Sequence, residues 1–237
     1  MDQEIFLKGM SRLGVSVTEQ QLQQFHTYSE MLKEWNEKMN LTAITEDKEI
    51  AVKHFLDSVL PLYTLPLPET GRMIDVGTGA GFPGLPMKIM RPQYEITLAD
   101  ALKKRVGFLE AVCGELNLSG VSCVHGRAEE MGKQSRWRET FDIAVSRAVA
   151  NMTVLCEYTL PLVRVGGVFA ALKAENAEDE LNHARPMIGE LGGKVEQVLK
   201  AALPESDIVR TLILIRKEKN TPSRFPRRAD KIKTALR

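Results

Sequence analysis

The chain has 237 residues, 43% of them hydrophobic and 27% charged, enough apolar material for one sizeable α/β domain plus a small extra unit. No apolar run reaches the ~18 residues of a membrane span, and the start M-D-Q-E-I-F-L-K has no secretory pattern, so a membrane protein and a secreted one are both set aside. Net charge is only +1, yet from Arg216 onward nine Lys and Arg face two acids, a basic tail on an acidic body that suits either a polyanion or a solvated terminus.

Residues 2 to about 62 read as helices. Thr18 with Gln21 forms a capping-box pattern, and Leu22, Phe25, Tyr28, Met31, Leu32 and Trp35 follow at helical spacing. A second helix is expected from near Thr45, carrying Ile50, Val52, Phe55, Leu56 and Val59. Between the two, Asn40 and Thr42 sit in a polar corner that side-chain bonds to the backbone can close. His54 and Asp57 are three apart on one face, placed either to orient one another or to cap structure. Leu65 to Gly71 is a linker rich in turn residues.

The next stretch organises the rest. Met73 to Val76 reads as a buried strand, glycines follow at 77, 79 and 81, and a helix starts near Pro83. Gly77 and Gly79 let the backbone turn sharply and let a ligand approach the main chain. A second strand, Ile96 to Asp100, ends in an acid able to accept both hydroxyls of a ribose. Together they predict an adenosine-type cofactor at the strand ends. The dinucleotide fingerprint requires a third glycine where this chain has Phe82. A bulky Phe, with Asp75 and Asp100 nearby, suits the sulfonium of S-adenosyl-L-methionine better than a pyrophosphate.

From there β and α segments alternate, as in a mostly parallel sheet covered on both faces. Strands are expected at 73–76, 95–99, 121–124, 142–146 and 166–172, with an antiparallel edge from 194–200 and 209–216. Helices are expected at 83–90, 102–116, 127–132, 152–162 and 177–191. After the third strand, Ala128 and Glu129 either meet an adenine edge or place an acid at a helix start. After the fourth, Arg147 ends an apolar strand, where a guanidinium needs a partner; a site role is preferred to a structural ion pair. Cys113, Cys123 and Cys156 are odd in number and lack metal-ligand spacing, which favours reduced thiols in a cytoplasmic protein and gives no metal site. No residue stands out as a general base. An acceptor with a free lone pair, a carboxylate or a ring nitrogen such as guanine N7, needs none.

Six segments then carry a resemblance: W-N-E-K-M-N-L-T (35–42), H-F-L-D-S (54–58), D-V-G-T-G-A-G-F-P-G-L-P (75–86), L-A-D-A-L-K-K-R (98–105), S-R-A-V-A (146–150) and A-L-K-A (171–174). In this order they resemble the bacterial small-subunit ribosomal RNA guanine-N7 methyltransferases, the glucose-inhibited division protein B family. The tail start N-T-P-S-R-F-P-R (220–227) also fits, and the chain departs from the family's Gly/Pro/Lys-rich end after Arg228. The resemblance implies a Rossmann-like class I methyltransferase fold with a seven-stranded, mostly parallel sheet and an N-terminal helical extension. It implies methyl transfer from S-adenosyl-L-methionine to N7 of a guanine in 16S ribosomal RNA, free or in an assembling small subunit, by a cytoplasmic monomer. It places Gly77, Phe82, Ala128, Glu129 and Arg147 at the cofactor, beside Gly79 and Asp100 from the arguments above. Asn40, His54, Asp57 and Lys173 fall on the RNA-facing side, and Arg224, Arg227 and Arg228 are candidates for RNA contact.

The expected organisation is a helical unit at 1–64, a methyltransferase domain at 65–216 and a basic tail at 217–237. Rival readings are a methyltransferase of small molecules, a nicotinamide oxidoreductase and a non-catalytic RNA-binding scaffold.

Overall fold

The computed structural model describes residues 1–147, 149–228 and 231–232. Ala148 of the S-R-A-V-A segment and most of the tail beyond Arg228 lie outside the described residues. Helices come first: α1 (Gln3–Arg12), α2 (Glu19–Met39) and α3 (Asp47–Glu49), which winds through a π-helical stretch (Ile50–Leu56) into α4 (Asp57–Thr64). The Thr18 capping box is formed, Oγ1 accepting from Gln21 N at 3.2 Å while Gln21 Oε1 accepts from Thr18 N at 3.0 Å. α2 stops at Asn40, whose φ of 49° is left-handed, a conformation that Asn tolerates. The second helix begins at Asp47 and is wider in its middle than the apolar spacing predicts. Such π turns are frequent at functional sites, and this one carries His54 and leads into Asp57.

Seven strands follow: β1 (Gly71–Val76), β2 (Tyr94–Asp100), β3 (Val121–His125), β4 (Phe141–Arg147), β5 (Val163–Ala174), β6 (Gly193–Ala202) and β7 (Val209–Lys217). Between them lie α5 (Gly84–Met90), α6 (Lys103–Glu115), α7 (Ala128–Met131), α8 (Met152–Thr159) and α9 (Glu178–Glu190). The strand order is β3-β2-β1-β4-β5-β7-β6. β1 to β5 pair in parallel, and β7 runs antiparallel between β5 and β6.

The alternation of side chains along each strand assigns the two faces. Met73, Leu98, Ile143 and Leu172 turn to the core shared with α1, α2, α4 and α5, whereas Ile74, Val76, Phe169 and Ile213 turn to that of α8 and α9. A run of rings seals the N-terminal helices to the first face: Phe6 on Phe25 at 4.6 Å, Phe25 on Phe55 at 4.9 Å, and Tyr28 on Phe82 at 5.4 Å between centroids. All five rings are buried, and each contributes about 1.5–3 kcal/mol. The helical segment and the sheet therefore share one continuous core.

Strand order reverses between β1 and β4, and ligands of open α/β sheets bind in the crevice at such a point. The two strand ends are tied there by Ser146 Oγ, which donates to Val76 O at 2.8 Å.

Candidate active site

Two cavities flank this crevice. The smaller, about 140 Å³, is lined by Val76, Gly77, Asp100, Ala128, Glu129 and Tyr158 among others. Gly77 has φ +70°, and a Cβ built on it would stand 2.6 Å from Val149 Cγ2, so the position admits no side chain without moving Val149. Gly79 has φ +62° with nothing within 4 Å of such a Cβ, which leaves its backbone face open to a ligand. Asp100 is buried at the floor, taking Gly79 N at 2.9 Å on Oδ2 and Leu102 N at 2.8 Å on Oδ1. Ala128 opens α7, where its N–H has no intrahelical acceptor. Gly77, Asp100, Ala128 and Glu129 thus line one cleft, with Gly79 N bonded to the Asp100 carboxylate.

Asp75 braces the turn from below. Its Oδ2 accepts from Thr78 Oγ1 at 2.6 Å and from Gly84 N at 2.8 Å, closing the loop onto the start of α5. Its Oδ1 is buried with no hydrogen-bond partner. Burial, opposed by the bonds from Thr78 and Gly84, pushes the carboxyl up to about 6.

The larger cavity, about 470 Å³, lies on the other side of the β4 end and includes Lys53, His54, Asp57, Arg147, Lys173, Glu180 and Arg210 in its wall. Arg147 is its centre. Nη1 donates to Asp57 Oδ2 at 2.8 Å and to Lys53 O at 2.9 Å, while Nη2 meets His54 Nδ1 at 3.3 Å. A guanidinium only donates, so His54 Nδ1 is the acceptor and Nε2 carries the proton, directed at Thr42 Oγ1 at 2.9 Å. Burial, with the Arg147 charge second, pushes His54 down to about 3. The imidazole stacks on Phe82 at 4.3 Å and 7°, and Phe82 stacks in turn on Tyr28. Tyr28 Oη donates to the Ala80 carbonyl, so α2 supports the glycine turn directly.

Arg147 lines the larger cavity rather than the smaller, and Phe82 is a buried plate between His54 and Tyr28. Asn40 lines neither cavity; it ends α2, while Asn36 Oδ1 accepts from Thr42 N at 2.8 Å and shapes the corner. Lys173 Nζ donates to Glu180 at 2.8 Å and to Ala150 O at 2.9 Å, and Glu180 also accepts from Met152 N. The pair thereby pins Ala150 and the start of α8. In the tail, Arg224 is 63% exposed and pairs with Glu190. Arg227 is held by Glu157 through its backbone N and its side chain, and Arg228 lies exposed just beyond it.

Arg210 and Lys53 had not been singled out. Arg210 lies at the start of β7, the strand between β5 and β6, and chelates Asp57, with Nε 2.8 Å from Oδ1 and Nη2 3.2 Å from Oδ2. The signal was the one read at Arg147, a cation at the end of an apolar strand. Among the described residues no group of three or more His, Cys, Asp or Glu is arranged to hold a metal ion, and no helix is long and apolar enough to cross a membrane. Cys156 is buried in α8 with its thiol pushed up by burial, which disqualifies it as a nucleophile.

Comparison with known proteins places this geometry. Residues 21–209 match the family model described as rRNA small subunit methyltransferase G. The ribosomal RNA small subunit methyltransferase G of Alkaliphilus metalliredigens is 50% identical over 229 residues, covering 96% of each chain. That of Exiguobacterium sibiricum is 45% identical, covering 97% of this chain and 96% of the relative. Among solved structures, precorrin-6y C5,15-methyltransferase from Geobacter metallireducens superposes with TM-score 0.52 at 18% identity, over 68% of this chain and 87% of the other. The M. jannaschii TYW2 in complex with AdoMet gives 0.50 at 12% identity, over 63% and 69%. The solved structures establish the fold as that of class I methyltransferases, and at up to 50% identity along nearly the whole chain, this protein belongs to the rRNA small subunit methyltransferase G family.

Proposed function

We propose that the chain transfers a methyl group from S-adenosyl-L-methionine to N7 of a guanine in 16S ribosomal RNA. The cofactor supplies an activated methyl on a sulfonium, and Gly77, Gly79, Asp100, Ala128 and Glu129 are the residues that hold it. The acceptor nucleotide enters the cavity around Arg147 on the far side of Val149.

The observation that carries this reading is the state of the polar groups in that cavity. His54 is neutral with Nδ1 already facing Arg147. Asp57 is shared by two arginines, and Glu180 is bonded to Lys173 and Met152 N. Each candidate base is occupied, so an acceptor that must lose a proton is poorly served. Guanine N7 offers its lone pair directly, and the protein need only position it in line with the methyl. Lys53, Arg147, Lys173 and Arg210 against Asp57 and Glu180 leave the wall cationic, which suits a phosphodiester strand. The chain works in the cytoplasm, where its three unpaired thiols stay reduced.

The test is methyl transfer from labelled cofactor to unmodified 16S RNA, to small-subunit particles and to small carboxylates. Label entering the RNA or the particle supports the proposal. Label entering only small acceptors refutes it.

A further inference from the structure

The C-terminal segment packs against the elements that line the smaller cavity, which a solvated tail would not do. Its path is fixed by two guanidinium groups. Arg138 Nη1 donates at once to Gly132 O, just past α7, at 2.8 Å and to Phe225 O in the tail at 2.7 Å. Its Nη2 donates to Thr221 O at 2.6 Å and Pro222 O at 3.2 Å. One side chain therefore joins the end of α7 to three carbonyls of the tail.

Arg227 makes the second junction. Glu157, on α8 and with a fully buried side chain, receives Arg227 N at 2.6 Å, Nε at 3.0 Å and Nη2 at 2.6 Å. A buried carboxylate that loses its cation is left uncompensated, so Arg227 is committed to this partner. Between the junctions, Phe225 is buried in the core cluster that holds Met131 of α7. The Pro226 ring lies 3.0 Å from where a Cβ on Gly132 would stand.

What the segment grips is also what lines the cleft. Ala128 and Glu129 belong to α7, and Tyr158 follows Glu157 directly on α8; all three face the smaller cavity. α7 has only four residues, Ala128–Met131, too few to hold a helix by its own hydrogen bonds. Its position must come from what packs on it: Phe225, Pro226 and the Arg138 bridge.

We propose that the Glu157–Arg227 pair is a latch by which the C-terminal segment holds α7 and α8 in their cofactor-binding position. Arg227 is then a positioning residue for S-adenosyl-L-methionine, acting through Glu157, Ala128 and Glu129. The inference rests on the smaller cavity being the cofactor site, as proposed above. It also divides the basic tail by role: Arg227 belongs to the cofactor side, and Arg224 is turned outward.

Arg227→Gln, Arg227→Lys and the double variant Glu157→Gln/Arg227→Gln are compared with the full-length chain. Cofactor affinity is measured by calorimetry, and KM for cofactor and for RNA with kcat. Coupling through a packed network is expected to weaken cofactor binding in Arg227→Gln by roughly 3- to 30-fold. KM for RNA should stay unchanged. Arg227→Lys should restore part of the loss because it keeps the charge on Glu157. The double variant should restore part of it because it removes the stranded carboxylate. If Arg227→Gln is folded and binds cofactor as the parent does, the latch is overturned. The same holds if its whole effect is a lower melting temperature. Should Arg227→Gln fail to fold, the double variant decides, since wild-type affinity without any ion pair at this place and no loss in Arg227→Lys would equally overturn the latch. Glu129→Ala serves as the control on the site itself. If it too leaves affinity unchanged, the cleft has been misplaced, whereas a loss there alone defeats only the latch.

Discussion

Asp57 Oδ2 accepts from Arg147 Nη1 at 2.8 Å, joining the first turn of α4 to the end of β4. The same carboxylate takes Arg210 from β7, so one buried acid, 1% exposed, fixes two cations in the larger cavity. Asp57→Asn keeps the shape and removes the charge. Breaking a buried pair in this way is expected to cost on the order of 3 kcal/mol, read as a lower urea midpoint with unchanged slope. Methyl transfer should fall further than the folded fraction does, because Arg147 loses its fixed direction. An unchanged midpoint and rate would show that Arg147 is held by Lys53 O and His54 alone.

His54 gives a pH signature. Its unfolded value is near 6.5 and its folded value is about 3. Between these the unfolded chain binds more protons, so this group's contribution is complete above the upper value and is lost as pH falls toward the lower one. The limiting slope is about 1.4 kcal/mol per pH unit. Asp75, raised to about 6, acts with opposite sign: its contribution is lost as pH rises from about 4 to 6. The difference between the parent chain and His54→Asn isolates the histidine. Urea titrations from pH 4 to 7 should show a flatter acid limb in the variant; parallel limbs would mean that His54 is not neutral in the fold.

Much of this was legible in the sequence because it is local. The run Met73 to Val76, the glycines after it and Asp100 at the end of the next apolar run are periodic signals, and their strands appear within three residues of the expected bounds. The Thr18–Gln21 box is a four-residue pattern and formed as read. Arg210 and Lys53 were missed because they reach the cavity through tertiary pairing: Arg210 enters only because β7 inserts antiparallel beside β5. The π-helical turn at Ile50–Leu56 escaped because an i, i+3, i+4 apolar pattern is indifferent to one extra residue. The stack of His54 on Phe82 was not legible, because no spacing between residues 54 and 82 announces it. The tail read as a basic strip; its attachment depends on Glu157, an acid in an apolar helix whose partner lies far along the chain.

The two glycines of the turn should separate in stability measured without cofactor. Gly79→Ala pays only for a left-handed φ in open space, of order 1 kcal/mol. Gly77→Ala carries the same strain and also meets Val149 at 2.6 Å, and overpacking adds about 1–3 kcal/mol. Chemical denaturation should rank Gly77→Ala clearly below Gly79→Ala. Equal stabilities would mean that Val149 moves aside freely.

Arg224 and Arg227 should differ toward RNA. Arg224 is exposed on Glu190, an ion pair of little worth in water, and can be released to a phosphate. Arg224→Gln should raise KM for RNA and flatten the salt dependence of binding by roughly 0.7–0.9 in log–log slope. Arg227→Gln should leave that slope where it was. If both variants alter the slope alike, Arg227 reaches RNA in the complex and its bond to Glu157 opens.

The most direct test of the account is the chemical position of the methyl group. Unmodified 16S RNA and small-subunit particles are incubated with the chain and S-adenosyl-L-methionine, then treated with borohydride and aniline, which cut RNA at N7-methylguanosine. The account predicts one new break, at a single guanine, that requires both protein and cofactor and vanishes in Asp100→Ala. Methyl incorporation into the RNA without any aniline-sensitive break would contradict it, because the acceptor would then be an atom other than guanine N7.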